Sequence, residues 1–121
     1  MKSIKLLSIL FPGIISFQLC YCQASKTETI MVNGNCGMCK KHIEKSALAA
    51  GATAASWNKT TRFLNISYDP AVSNSQKIQT AIAETGYDTQ DYKATDSAYF
   101  KLDDCCQYDR KELKTQKKRL N

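Results

Sequence analysis

The order of apolar patterns along the chain predicts an α+β domain with a four-stranded antiparallel sheet and two helices on one face. Three observations carry this. Six short segments alternate in the order strand, helix, strand, strand, helix, strand; the apolar spacing switches from two to helical and back at glycines; and the middle two strand segments are separated only by Lys59-Thr60-Thr61, which is hairpin spacing.

Residues 27–32 form the first strand segment, rich in β-branched Thr29, Ile30 and Val32, with Ile30 and Val32 facing one side and Met31 the other. Over residues 39–50 the period becomes helical: Cys39, Ile43, Ala47 and Ala50 share a stripe, Lys40, Lys41, Glu44 and Lys45 fall mostly outside it, and Gly51 supplies the stop. A short strand at 54–58 puts Ala55 and Trp57 on one face. In the strand at 62–68, Leu64, Ile66 and Tyr68 alternate with Phe63, Asn65 and Ser67, and Asp69-Pro70 ends it because proline cannot donate to a ladder. Ser73 and Gln76 have the spacing of a capping box for a second helix carrying Ile78, Ala81, Ile82 and Thr85, closed by Gly86. Residues 87–93, with Tyr87 at the start and Tyr92 near the end, make a weak last strand. The βαββαβ order is that of a ferredoxin-like split βαβ sandwich. Its expected core is Ile30, Val32, Ile43, Ala47, Leu64, Ile66, Ile78 and Ile82. Beyond it, Asp96 is expected to cap a short helix whose Ala98, Tyr99, Phe100 and Leu102 lie against the domain, and Asp103-Asp104-Cys105-Cys106 to form a turn.

At 121 residues there is room for one small domain. Residues 1–22 have the pattern of a signal peptide: Lys2 and Lys5 give a charged start, residues 6–19 an apolar run of signal length, and Cys20 and Cys22 small side chains before a cut at Gln23. This divides the chain into a signal peptide at 1–22, a domain at 23–93 and an extension at 94–121, and points to an exported, periplasmic protein. The alternative is a lipid-anchored form acylated at Cys20 or Cys22. The net charge of +6 is unevenly spread: residues 23–109 hold nine basic and ten acidic side chains, whereas 110–121 hold six basic ones against Glu112 alone. The basicity therefore belongs to a tail that has no aromatic residue to stack on bases, and nucleic acid is not expected as a partner.

The stretch from Asn33 to Ile43 concentrates the chemistry. Cys36 and Cys39 stand three apart in a loop with Gly34 and Gly37, and both thiols converge near a helix start, where backbone N–H groups and the helix dipole favour thiolate. A soft metal ion or a redox reaction uses such a pair. Two thiolates suit copper(I) and other thiophilic ions, while a closed zinc site needs four protein ligands. Cys105 and Cys106 are either further ligands brought back to the loop, a redox-sensitive pair, part of structural disulfides, or the bridge of a disulfide dimer of an otherwise monomeric chain. His42, the one histidine, is a further ligand candidate on a neighbouring helical face.

Taken together, the cysteine pair after the first strand, Ile43-Glu44-Lys45, Tyr68-Asp69-Pro70 and Ile82-Ala83-Glu84-Thr85-Gly86-Tyr87 resemble the heavy-metal-associated domain family over about residues 27–93. The resemblance implies the ferredoxin-like sandwich and no enzymatic activity. It implies binding of copper(I), or of mercury(II) as in exported mercury-binding relatives, by Cys36 and Cys39, and exchange with a metal-donating or metal-accepting protein such as a membrane transporter. Tyr87 matches the family position that shields the metal loop, and Met38 lies between the ligands as a spacer with a thioether. The family's methionine two places before the first cysteine is replaced by Gly34, which is expected to loosen the loop. The rival from a different class is a thiol-disulfide oxidoreductase using the same C-x-x-C pair. Its thioredoxin-like form normally has an aromatic residue where this chain has Asn35, and a cis-proline opposite the pair, whereas Pro70 here belongs to the Asp-Pro loop.

Overall fold

A computed structural model of the protein describes Gly13 and residues 24–110. The expected signal peptide, apart from Gly13, and the tail beyond Arg110 lie outside the described residues. The elements run β1 (Lys26–Met31), α1 (Gly37–Ala49), β2 (Ala52–Trp57), β3 (Phe63–Tyr68), α2 (Ser75–Glu84), α3 (Asp96–Phe100) and a 3-10 turn at Asp104–Cys106.

Strand β3 is central in an antiparallel sheet ordered β1-β3-β2. Its register with β1 runs from Lys26 opposite Tyr68 to Met31 opposite Phe63, and with β2 it ends at Trp57 opposite Leu64 after an irregularity between Ala52 and Ala54. Period-two alternation turns Leu64, Ile66 and Tyr68 inward. The β2–β3 connection is held by Asn58, whose side-chain oxygen accepts from the Thr60 and Thr61 N–H groups at 2.8 and 3.0 Å while Arg62 adopts a left-handed φ of 63°. Helices α1 and α2 end at glycines in the left-handed region, Gly51 at φ 106° and Gly86 at φ 111°. All eight expected core residues are buried, joined by Trp57, Tyr87 and Tyr108.

Three local expectations are corrected. Helix α1 begins at Gly37 rather than Cys39, because the Cys36 side chain itself accepts the Cys39 N–H and acts as N-cap. The α2 cap is Asn74, whose Oδ1 accepts from the Lys77 N–H at 2.8 Å; Ser73, the expected cap, instead donates its hydroxyl to the Ala50 carbonyl at 2.6 Å and ties the α2 entrance to the end of α1. Likewise Thr95, not Asp96, caps α3 by accepting from the Ala98 N–H.

The fourth strand is also corrected: the sheet of the described residues has three strands. Residues 87–93 run antiparallel beside the end of β1, where Asn33 donates to the Asp88 carbonyl at 2.8 Å and Gln90 to that of Met31 at 2.9 Å, but only one bridge, Val32 with Thr89, forms. Side chains pull the chain away from the ladder. The Thr89 N–H and hydroxyl both turn onto the Tyr92 carbonyl, and the buried Gln79 amide oxygen of α2 accepts from the Thr89 hydroxyl at 2.9 Å and the Asp91 N–H at 3.2 Å. A tight turn replaces the strand.

Residues 94–110 fold back onto the domain. Asp88, 2% exposed, accepts from the Ala94 N–H at 2.7 Å and is clasped by the Arg110 guanidinium at 3.0 and 2.8 Å. Arg110 also bonds Asp96 and the Ala94 carbonyl. The Tyr108 hydroxyl donates to the Gly86 carbonyl and accepts from the Asp88 N–H, and its ring stacks on Tyr87. Tyr99 and Leu102 of the expected short helix pack on the core, whereas Phe100 is exposed.

Candidate metal centre

The fold-back decides where the distant cysteines lie. The clasp and the Tyr108 anchor bring the 3-10 turn against the start of α1, and the turn points Cys106 inward to the loop thiols. The Sγ atoms of Cys36, Cys39 and Cys106 all lie within 4.8 Å of one another, with Cys36 at 3.1 Å from Cys39 and 3.5 Å from Cys106. All four described cysteines are free thiols. Cys39 and Cys106 are fully buried and Cys36 is partly open, so the trio is reached from the Cys36 side.

The site is built to stabilise negative sulfur at one of its corners. Burial opposes ionisation of Cys36, but hydrogen bonds from the Cys39 thiol and N–H, the Cys106 thiol and the Met38 N–H outweigh it and hold its pKa down to about 7, from an ordinary value of 9.0. Cys106 moves the opposite way, raised by burial and then by the neighbouring Cys39 and Cys36 sulfurs. One thiolate is thus favoured and a second is disfavoured in a cluster without a cation. A soft cation among the three sulfurs would remove that mutual repulsion.

The other sequence candidates occupy distinct places. Cys105 is exposed, 3.9 Å from Cys106 Sγ and 3.9 Å from the sulfur of Met38, which is itself 45% exposed. His42 is not brought into the thiol group; its Nδ1 is 3.0 Å from the Tyr87 hydroxyl. Tyr87 is buried, with its hydroxyl kept protonated by burial and by the Cys106 and Cys39 sulfurs beside it.

Gly34 does not leave a gap under the loop. A Cβ at this position would meet Trp57 Cη2 and Cζ2 at 2.9 Å and Cys39 Cβ at 3.2 Å, so the indole fills the space beneath the loop and the expectation of a loosened loop is corrected. The ring is fixed by its Nε1–H donating to the Val32 carbonyl at 3.0 Å, and its backbone N–H donates to Glu44 at 3.0 Å. Trp57 is the supporting residue that sequence reasoning missed. The signal was present as a glycine in the loop paired with a bulky residue on the inward face of β2.

No family model and no curated protein matches the chain. Among solved structures it is similar to a CopZ metallochaperone, with 29% identity and a TM-score of 0.50 over 53% of this chain and 98% of that one. It is similar to a putative copper-ion-binding protein from Bacillus anthracis str. Ames, with 27% identity and a TM-score of 0.53 over 56% of this chain and 99% of that one. Oxidized MerP from Ralstonia metallidurans CH34 aligns with 28% identity and a TM-score of 0.52, over 55% of this chain and 96% of that one. A small antiparallel sheet with two helices and a C-x-x-C loop at the first helix defines the class: α+β domains of ferredoxin-like type that carry a dithiol between strand and helix. Within that class, the chain is similar to domains of the heavy-metal-associated type.

Proposed function

We propose that the protein is an exported, non-enzymatic carrier of a soft heavy-metal ion, held as cargo by the thiolates of Cys36, Cys39 and Cys106. The convergence of three sulfurs within 4.8 Å carries this reading, and likeness to a metallochaperone, a putative copper-ion-binding protein and MerP supports it. Three thiolates suit copper(I) first and mercury(II) next, because both accept low coordination numbers with sulfur. Zinc would need a fourth ligand from outside the trio. Delivery proceeds by ligand exchange without redox change: an acceptor's thiolate bonds the ion as the bond to Cys36, the partly open sulfur, breaks. The partner is then a metal-donating or metal-accepting protein such as the exposed domain of a membrane transporter. Export rests on the signal pattern at residues 1–22, with lipid anchoring as its alternative.

Competition titration of the reduced protein against a chromogenic copper(I) chelator tests the assignment. Cys36→Ser with Cys39→Ser is expected to abolish binding, and Cys106→Ser to weaken it about tenfold or more, at least what the loss of an outer-shell partner of a ligand costs. Undiminished binding by the double variant sinks the reading.

A second reading, thiol-disulfide oxidoreductase, is favoured by one observation: Cys36, with its pKa near 7, lies 3.1 Å from buried Cys39. Cys36 would attack a substrate disulfide to form a mixed disulfide, and Cys39 would displace the reduced substrate thiol. The protein's own disulfide would then be re-reduced by an external dithiol. Insulin reduction with dithiothreitol discriminates, since a carrier gives no turnover above that of the double serine variant.

A further inference from the structure

Cys105 and Met38 are left unused by a three-thiolate site, yet their sulfurs touch each other at its rim. Five sulfurs form a continuous series across the site, from an exposed pair to the inner trio: Met38 to Cys105 at 3.9 Å, Cys105 to Cys106 at 3.9 Å, Cys106 to Cys36 at 3.5 Å and Cys36 to Cys39 at 3.1 Å. Burial changes along it, with Met38 and Cys105 exposed, Cys36 partly open, and Cys106 and Cys39 fully buried. The elements hold the series in place from two directions. Met38 belongs to the first turn of α1, while Cys105 and Cys106 are consecutive residues of the 3-10 turn, itself tied by the Cys106 N–H to the Asp103 carbonyl at 2.7 Å.

We propose that Cys105 and Met38 form an outer capture site for an incoming soft metal ion and that Cys106 passes the ion from this site to the inner trio. The proposal rests on the metal-carrier reading and adds an entry route to it. A thioether and a thiolate bind a soft ion but hold it less tightly than three thiolates, which suits capture rather than storage. Cys106 is within reach of both stations, so the ion need never be free of protein sulfur. In the transfer step the bonds to Cys105 and Met38 break as bonds to Cys36 and Cys39 form, and the bond to Cys106 persists. Cys105 gives up its proton on capture and Cys106 on joining the ion; on transfer the Cys39 proton and any still on Cys36 leave to water, Cys105 regains one, and the metal's oxidation state is unchanged. Adjacent cysteines serve this geometry because one backbone turn presents one sulfur outward and its neighbour inward.

The test is kinetic. Reduced full-length mature protein is mixed with the copper(I)–bicinchoninate complex, loading is followed by loss of the complex's colour, and equilibrium affinity is measured separately by titration. Cys105→Ser and Met38→Leu are each expected to slow loading by about tenfold, because exchange rates follow access to the attacking sulfur, and to leave affinity within about threefold of the parent. Cys105→Met, which restores a soft ligand, is expected to recover part of the rate. Unchanged loading rates in both variants would overturn the relay while leaving the carrier intact. A loss of affinity of a hundredfold or more in Cys105→Ser would also overturn it, by making Cys105 a permanent ligand. Failure of the parent protein to bind copper(I) at all would instead remove the carrier reading, and the relay with it. Both substituted residues are exposed, and near-native circular dichroism checks that the variants fold.

Discussion

Gly34 and Trp57 share one small volume beneath the thiol loop, and a single methyl group tests how tightly. The Cβ of Gly34→Ala would fall 2.9 Å from two indole carbons, and the ring cannot yield freely because its Nε1–H is bonded to Val32. Loop or ring must shift, an overpacking cost of about 1–3 kcal/mol. Trp57→Ala is expected to cost more, about 3–5 kcal/mol, since it empties a fully buried aromatic site. Adding Gly34→Met to Trp57→Ala should return part of that loss by refilling the volume from the loop side. Urea denaturation of the four proteins checks the series; equal stability of Gly34→Ala and the parent would show that the indole is not wedged there. The same pair illustrates what was legible at this scale. Cys36 and Cys39 could be read as a joint site because three residues at a helix start bring their sulfurs together by local geometry alone. Trp57 and Cys106 act on the loop only through tertiary contacts, and Cys106 is 70 residues from Cys36, so no spacing rule reaches them.

At the scale of elements, β1, α1, β2, β3 and α2 were legible because each carries its own period of apolar residues and its own stop. The last strand was not. Tyr87 and Tyr92 mimic a strand's apolar pattern, but Thr89, Asp88 and Gln79 supply side-chain bonds that compete with the ladder. What takes the strand's place is a polar clasp that fastens residues 94–110 to the domain. Asp88 is the centre of it, and Arg110 its counter-charge with a side chain 16% exposed. Arg110→Met keeps much of the side-chain volume but leaves a buried carboxylate without its cation, a change expected to destabilise by about 3–5 kcal/mol. Because the clasp holds the segment bearing the 3-10 turn, the variant is also expected to expose Cys106. Faster alkylation of Cys106, read by peptide mass spectrometry under native conditions, distinguishes a released segment from a general loss of stability. The double variant Asp88→Asn with Arg110→Met removes both charges and should recover stability relative to Arg110→Met alone; if it does not, packing rather than charge pairing is the function of the clasp.

Across the whole molecule, the proposed ion would join the first helix to the C-terminal fold-back and so bind the domain and its extension into one cooperative unit. Any ligand that binds only the folded state stabilises it in proportion to the logarithm of one plus the ratio of its free concentration to its dissociation constant, about 2.7 kcal/mol when the free ion is a hundred times that constant. For a domain of this size that corresponds to a rise in Tm of roughly 10–20 °C. The copper(I)-loaded parent, held at such a buffered free-ion level, is expected to unfold in one transition at the raised temperature. At the same level, Cys106→Ser with about tenfold weaker binding should keep only about half of the gain, because each tenfold is worth about 1.4 kcal/mol. Cys105→Ser should keep most of it, since the outer sulfur contributes to entry and not to the final site. Removing the ion with excess chelator returns each protein to its own apo Tm, which separates the metal effect from the substitution. An equal rise in Cys106→Ser and parent would place the ion on Cys36 and Cys39 alone. The fold-back would then be a structural cover, and the third thiol would have no part in holding the cargo.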